Sequence, residues 1–360
     1  MRKLNVVNAM RGLIGLVICS SLTLACSMRQ EVPKTSPWQT NVDTARVFDL
    51  DQIEQAGEMI ALTLSGPDTY YDYHGRHLGM HYLLCEQFAA HIGVRLRMEL
   101  CRDTAELLQR LNAGDADLIA VNVDTTDTLK PGWQVGMGKE LLARELTAWY
   151  RPQFMEEARQ TERQLLDRPR VSRRVNAPML RQGVISLYDE LFKRYSRGIG
   201  WDWRLVAAQC YQESTFDPEA ESWAGAKGLM QIMPATADHL GLPRSEMTDP
   251  EQNIAAATRY LHELEHDFMY IHDRTERQNM VLASYNGGIH HIRDAMRLAE
   301  RDHRNPQRWD DVRQYVLRLK EPQYYRDTLV QYGYMRGNET ADYVDRIRAR
   351  YQQYARRVRQ

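Results

Sequence analysis

The chain is 360 residues long, enough for two domains that each bury a core of ordinary size. Its 47 basic side chains face 48 acidic ones, a formal net charge of −1. That balance lacks the basic surplus that phosphate recognition demands, so no nucleic-acid partner is expected.

The first residues read as an export signal. Arg2, Lys3 and Arg11 lead into the apolar run LIGLVICSSLTLA, which ends at Cys26 and is too short to span a bilayer comfortably. The ending LTLAC resembles the lipobox of bacterial lipoproteins, in which the cysteine after a small residue is acylated and becomes the new N-terminus. Ala25 and Cys26 fit that pattern, while Thr23 stands where Leu is usual. The resemblance implies a signal and lipobox over residues 1–26, lipidation of Cys26, a polar tether over 27–46, and a periplasmic, lipid-anchored protein. Ser27 after Cys26 points to the outer membrane of a Gram-negative cell. An ordinary cleaved signal peptide would also export the chain. Beyond Cys19 and Cys26 remain Cys85, Cys101 and Cys210, an odd set that cannot all pair. A bridge between Cys85 and Cys101 requires Cα atoms within about 7 Å, which the sequence leaves open. No spacing of Cys and His suggests zinc, so neither metal nor cofactor is expected.

From residue 47 a βαβαβ order is predicted. MIALTLS is strand-like, and LGMHYLLCEQFAAHIG sets Leu84, Phe88 and Ile92 at helical spacing, with Gly93 to stop the helix. VRLRMEL alternates Val94, Leu96, Met98 and Leu100, the period of a half-buried strand. Asp103 then caps a helix, Glu106 completes a capping box, and Gly114 closes it. ADLIAVNV is short and apolar enough for a strand buried in a parallel sheet. This order and the stretch NAGDADLIAVNV resemble the first lobe of periplasmic solute-binding proteins that recognise amino acids. That family places an arginine after this strand, which DTTDTLK lacks, and closes a second lobe over its ligand. The α/β lobe over residues 47–152 is therefore expected to dock a protein partner or act as a spacer, with solute sensing as the alternative.

Residues 153–184 are charged and poor in large apolar groups, and Pro169 and Pro178 interrupt any long helix, so a connector is expected. Over residues 185–360 strand signals vanish and an all-α domain is predicted. ISLYDELFKRYSRG puts Leu187, Leu191 and Tyr195 on one face. DPEQNIAAATRYLHELEHDF opens with Asp249 as cap and Pro250 at the first position, then runs Ile254, Ala257, Leu261, Leu264 and Phe268 along one face. QNMVLASYNGG stops at Gly287 and Gly288. NETADYVDRIRARYQQYARR starts at Asn338 as cap and aligns Tyr343, Ile347, Tyr351 and Tyr354.

Within this half, Glu213 closes the apolar run RLVAAQCYQ. Val206, Cys210 and Glu213 stand at i, i+4 and i+7, so the carboxylate shares a face with packing residues and is expected to look inward. A buried carboxylate costs several kcal/mol unless paired or protonated, and desolvation raises its proton affinity, which suits a general acid. A helix-terminal glutamate bonded to backbone amides or paired with arginine is the plainer alternative. Downstream, WAGAKGLMQIMPATA places Gln231 as one amide on an apolar floor of Leu229, Met230, Ile232 and Met233, which suits an N-acetyl group. Tyr285 and Asn286 follow at a helix end beside glycines. Asp217, Glu219 and Glu221 read as solvated or capping residues.

The series QES, GLMQ, SYNGG and RGNETADYV, over roughly residues 185 to 355, resembles the four ordered motifs of the bacterial soluble-lytic-transglycosylase domain, the lysozyme-like family that cleaves peptidoglycan. The family often has Ala at the position of Ser284 and Ala or Ser at that of Gly287. An α/β module ahead of it on a lipoprotein resembles the membrane-bound lytic murein transglycosylase F type. The resemblance implies an enzyme that breaks glycan strands without water, through the 6-hydroxyl of N-acetylmuramic acid, to leave 1,6-anhydro ends. Glu213 would be the catalytic acid and then base, Ser222, Met230 and Gln231 would line the subsite, Tyr285 and Asn286 would bracket the cleft, and Tyr343 would lie beside Glu213. Glycosidases generally need two carboxylates. If one of the nearby acids held a water, the same fold would be a goose-type hydrolase. A wall-binding scaffold is the alternative of another class.

Overall fold

The computed structural model describes residues 48–123, 131–167 and 183–359, so the signal, the tether, Cys26, the DTTDTLK stretch, Pro169 and Pro178 lie outside the described residues. The first helix, α1 (Leu50–Ala56), is held by a reciprocal capping box between Asp49 and Gln52. Strand β1 (Glu58–Leu64) follows, then a small hairpin of β2 (Tyr71–Tyr73) and β3 (Arg76–Leu78), helix α2 (Met80–His91), β4 (Arg95–Cys101), α3 (Thr104–Ala113), β5 (Leu118–Ile119), β6 (Gln134–Val135), α4 (Glu140–Trp149) and α5 (Pro152–Asp167).

The main sheet runs β4-β1-β5-β6. β1 pairs in parallel with β4 and with β5, as the βαβαβ order requires, whereas β6 joins antiparallel at the edge. Along β1 the side chains alternate between two cores. Met59 and Ala61 pack with α2, α4 and α5, and Leu62 packs with Leu107 and Leu111 of α3. Asp117 and Lys139, both buried, form a 2.8 Å ion pair, and Asp117 also accepts from the Ile60 amide at 2.7 Å. Asp49 accepts from the Leu141 and Leu142 amides as well, fastening α1 to α4.

Two expectations for this half are corrected, and one open question is answered. The stretch from residue 153 does not begin as a connector: Phe154, Met155 and Ala158 of α5 pack into the lobe core beside α2, because a few apolar residues at helical spacing suffice where the rest of the helix faces water. The capping box at Asp103 is half formed. Asp103 accepts from the Glu106 amide at 2.9 Å, but the Glu106 carboxylate turns to the Arg102 amide at 2.9 Å and guanidinium at 3.0 Å. Cys85 and Cys101 are both free thiols, on opposite cores of the sheet.

The second half is built from α6 (Asp189–Ser196), α7 (Trp203–Ser214), α8 (Pro234–His239), α9 (Pro250–Asp267), α10 (Arg274–Gly287), α11 (Ile289–Arg301), α12 (Trp309–Arg318), α13 (Pro322–Tyr325) and α14 (Gly337–Arg357). α7 is its axis. Every residue from Trp203 to Cys210 is buried, so this helix has neighbours on all sides and no solvent stripe. α14 lies along it, burying Tyr343, Val344, Ile347 and Tyr354, while Tyr351 is half-buried. α9 begins as expected, with Asp249 accepting from Gln252 and Pro250 at the first position. Two details differ. α6 starts at Asp189, whose carboxylate accepts from the Ile185 and Ser186 amides, so Leu187 precedes the helix and is exposed, and Phe192 takes the core position. α14 starts at Gly337 with Arg336 in the cap position, two residues before Asn338, and Gly337 presses so close to the Val316 carbonyl that a Cβ would sit 1.8 Å from the oxygen.

Candidate active site

Glu213 lies in the last turn of α7, which ends with two non-glycine residues in the left-handed region, Thr215 at φ 54° and Phe216 at φ 61°. The residue is 6% exposed, and its Oε1 accepts a hydrogen bond from the Tyr343 hydroxyl at 2.5 Å. Burial pushes the Tyr343 phenol well above its ordinary range and the Glu213 charge pushes it further, so the donor proton is held. Tyr285 is raised in the same way, by burial first and by Glu213 second.

The segment after the glutamate is bent back and clamped against α7 and α9. The Met230 amide donates to Asn253 Oδ1 at 2.8 Å, the Met230 carbonyl accepts from the Tyr285 hydroxyl at 2.8 Å, and the Leu229 carbonyl accepts from Ser214 Oγ at 2.8 Å. Asn253 Nδ2 in turn donates to the Lys227 and Met247 carbonyls. Gly228, at φ +81°, passes so close to Asn253 and the Met247 carbonyl that no Cβ fits. Gln231 is itself left-handed, at φ 49°, and its amide nitrogen donates to the Ala220 and Gly228 carbonyls at 3.0 Å each. Its amide oxygen is the group it can offer to a ligand.

Glu213 opens on a cleft of about 440 Å³ that Ser222, Gln231, Tyr285 and Asn286 also line. Ser222 Oγ accepts from the Ala226 amide at 3.0 Å and keeps its proton to donate. Asn286 Oδ1 accepts from Thr340 Oγ1 at 2.8 Å, which fixes the amide so that its nitrogen is the donor end. Tyr260 packs on Tyr285 with ring centroids 5.4 Å apart. Two sequence-predicted residues do not line the cleft. The Met230 side chain is fully buried in the helical core, off the cleft lining, because the clamp uses its backbone on both sides. Tyr343 reaches Glu213 from behind without lining the cleft. Asp217 is buried rather than solvated, and it caps its own turn by accepting from the Glu219 amide at 3.1 Å. Glu219 and Glu221 are exposed, and all three lie outside the cleft lining. Among the described residues no group of three or more His, Cys, Asp or Glu is placed to hold a metal ion.

An inward glutamate, a clamped GLMQ floor and the SYNGG helix end thus meet at one cleft. Residues 190–307 match the transglycosylase SLT domain. Residues 190–307 thus have the lysozyme-like SLT fold, preceded in the chain by a small, largely parallel sheet. Among curated relatives, the membrane-bound lytic murein transglycosylase F of Desulfosudis oleivorans is 45% identical over 148 residues, 41% of this chain and 32% of that protein. Its namesake in Pseudomonas putida is 38% identical over 164 residues, 46% of this chain and 33% of that protein. The matched stretches therefore span about a third of the length of these relatives. The solved 70 kDa soluble lytic transglycosylase of Escherichia coli is 26% identical, over 46% of this chain and 24% of that one, with a TM-score of 0.31.

Sequence reasoning missed several residues of the site. Asn253 was readable: it stands on the same stripe as Ala257, Leu261 and Leu264, a polar amide on an apolar face. Thr340 and Glu339 lie inside the RGNETADYV motif and were passed over. Tyr73 and His74, which also line the cleft, come from the lobe, and only the HG turn in YDYHGRHL announced their hairpin.

Proposed function

We propose that this SLT domain is a peptidoglycan lytic transglycosylase that cleaves the β-1,4 bond between N-acetylmuramic acid and N-acetylglucosamine. The observation that carries this reading is the buried Glu213, gripped by Tyr343 at 2.5 Å and facing a cleft whose other carboxylates, Asp72 and Glu339, are engaged by the Gly75 amide and by Tyr73 and His74. One carboxylate runs both steps. Glu213 gives its proton to the glycosidic oxygen leaving on the N-acetylglucosamine side. The resulting carboxylate takes the proton of the muramic 6-hydroxyl as that oxygen bonds to the anomeric carbon. The bond lost and the bond formed are both carbon–oxygen, no water enters, and the product end is 1,6-anhydro. Tyr343 steadies the carboxylate between the steps. Ser222, the Gln231 oxygen and the Asn286 nitrogen orient the sugars, and Tyr285 supplies an aromatic wall.

A lipid on Cys26 anchors the enzyme at the membrane, with the periplasm as its compartment and wall remodelling as its role. The name membrane-bound on the curated relatives supports this. The α/β lobe is a single solute-binding-protein-like lobe in a docking role, since half of a clamshell has no hinge to close.

The test is mass spectrometry of muropeptides released from purified peptidoglycan by the mature protein and by Glu213→Gln. Anhydro-ended products from the wild type alone are expected. Reducing ends would mean that water attacks, as in a goose-type hydrolase, and no release from either protein would leave a wall-binding scaffold.

A further inference from the structure

The hairpin of β2 and β3 is a part of the cleft that does not belong to the SLT domain. Asp72, Tyr73, His74 and Gly75 line the same cavity as Glu213. Its tip is a tight turn with His74 at φ 50° and Gly75 at φ 68°, closed by a 3.1 Å bond from the Gly75 amide to Asp72.

The hairpin touches both sides of the cleft. On the side of the Ser222–Met233 segment, the Tyr73 ring stacks on Trp223 at 5.9 Å and 17°, and Arg76 donates to the Trp223 carbonyl at 3.3 Å. Gly75 rests against Met233, whose Cε would be 3.2 Å from a Cβ there. On the side of α14, the Tyr73 hydroxyl donates to Glu339 at 2.5 Å and His74 Nε2 lies 2.8 Å from the same carboxylate. Arg336 covers the Tyr73 ring at 5.0 Å. Tyr73 therefore joins the two sides through one side chain, by its ring to one and its hydroxyl to the other.

We infer that this hairpin is a strap that restricts cleavage to strand ends, an inference that rests on the transglycosylase reading above. Laying the interior of a long polymer into a groove needs a groove open along its length. A strap fixed to both sides removes that route whether it crosses the mouth or blocks one end, and in either position only a terminus can enter. The lobe thereby sets the mode of attack, and Tyr73 with Arg76 is its fastening.

Long uncrosslinked glycan strands test this, followed by strand length and disaccharide release together. The wild type is expected to release short products from the start while the mean length of the remaining strands falls slowly. Tyr73→Ala combined with Arg76→Ala, shown folded by its thermal midpoint, is expected to raise the ratio of internal to terminal cuts about tenfold, equivalent to about 1.4 kcal/mol of preference. A folded double variant with the wild-type ratio overturns the inference. Strands bearing a bulky group at both ends provide a check that needs no variant. The wild type is expected to leave them intact, and cutting them as fast as open-ended strands overturns the strap. Failure of the wild type to cut any strand would sink the transglycosylase reading itself, and the strap's role with it.

Discussion

Tyr343→Phe isolates the contact on which the mechanism depends. It removes one hydroxyl and keeps the ring, so the packing of α14 on α7 is preserved and no cavity of ring size opens. What is lost is a 2.5 Å hydrogen bond from a buried phenol to the Glu213 carboxylate. A hydrogen bond to a charged group contributes about 1.5–3 kcal/mol. The carboxylate forms as the proton leaves for the glycosidic oxygen, so this contribution belongs to the transition state and appears in kcat, as a fall of roughly 10- to 150-fold. KM should move little, since Tyr343 does not line the cleft. The assay is the initial rate of anhydro-product release at varied substrate, with the thermal midpoint as a control for folding. A kcat within about twofold of wild type, or a loss seen in KM alone, would refute the assignment of Tyr343 as the residue that steadies the charge.

Other perturbations follow from the same structure. His81 Nδ1 accepts from the Trp133 indole at 2.9 Å, which requires a neutral ring, and burial lowers its pKa to about 4. A folded value below the unfolded one means that this stability is present above about pH 6.5 and is lost as pH falls toward 4, by up to about 3 kcal/mol. Urea midpoints at neutral and mildly acid pH should therefore differ more in the wild type than in His81→Gln, and an equal difference refutes it. Asn253→Ala strips an acceptor from the Met230 amide and a donor from two carbonyls, and should cost about 2–4 kcal/mol in urea unfolding together with activity. A loss below about 1 kcal/mol would mean that the floor does not depend on Asn253. Gly228→Ala places a Cβ 2.4 Å from the Met247 carbonyl at φ +81°, so a loss of about 3 kcal/mol or more is expected in the same assay.

The parts of this architecture legible in the sequence are those set by local pattern. Asp249 and Pro250 announced α9, the spacing of Leu84, Phe88 and Ile92 announced α2, and the position of Glu213 on an apolar face announced that it looks inward. The failures have a common cause in contacts between distant segments. Met230 read as a ligand-facing side chain because the backbone bonds that turn it into the core come from Asn253 and Tyr285, 23 and 55 residues away. Asn338 read as a cap because its side chain suits one, while the observed cap is Arg336, two residues earlier, ahead of the glycine that passes close to Val316. α5 read as linker because its few apolar residues gain meaning only against α2.

The same contrast explains how one carboxylate is kept fit for two proton transfers. A second acid would hold the glutamate by repulsion and water, and would also invite a water into the reaction. Among the neighbours of Glu213 are two phenols, Tyr343 and Tyr285, each driven by burial to keep its proton. A neutral donor accommodates both protonation states of the carboxyl: it donates to the carboxylate strongly and to the acid weakly, without fixing either. That asymmetry favours the charged form just when the glycosidic bond breaks. Because the phenols hang from α10 and α14 while the glutamate ends α7, the balance depends on three helices staying in register. The buried clamp of Asn253, Ser214 and Tyr285 on the segment from Lys227 to Gln231 keeps the cleft floor fixed against that frame.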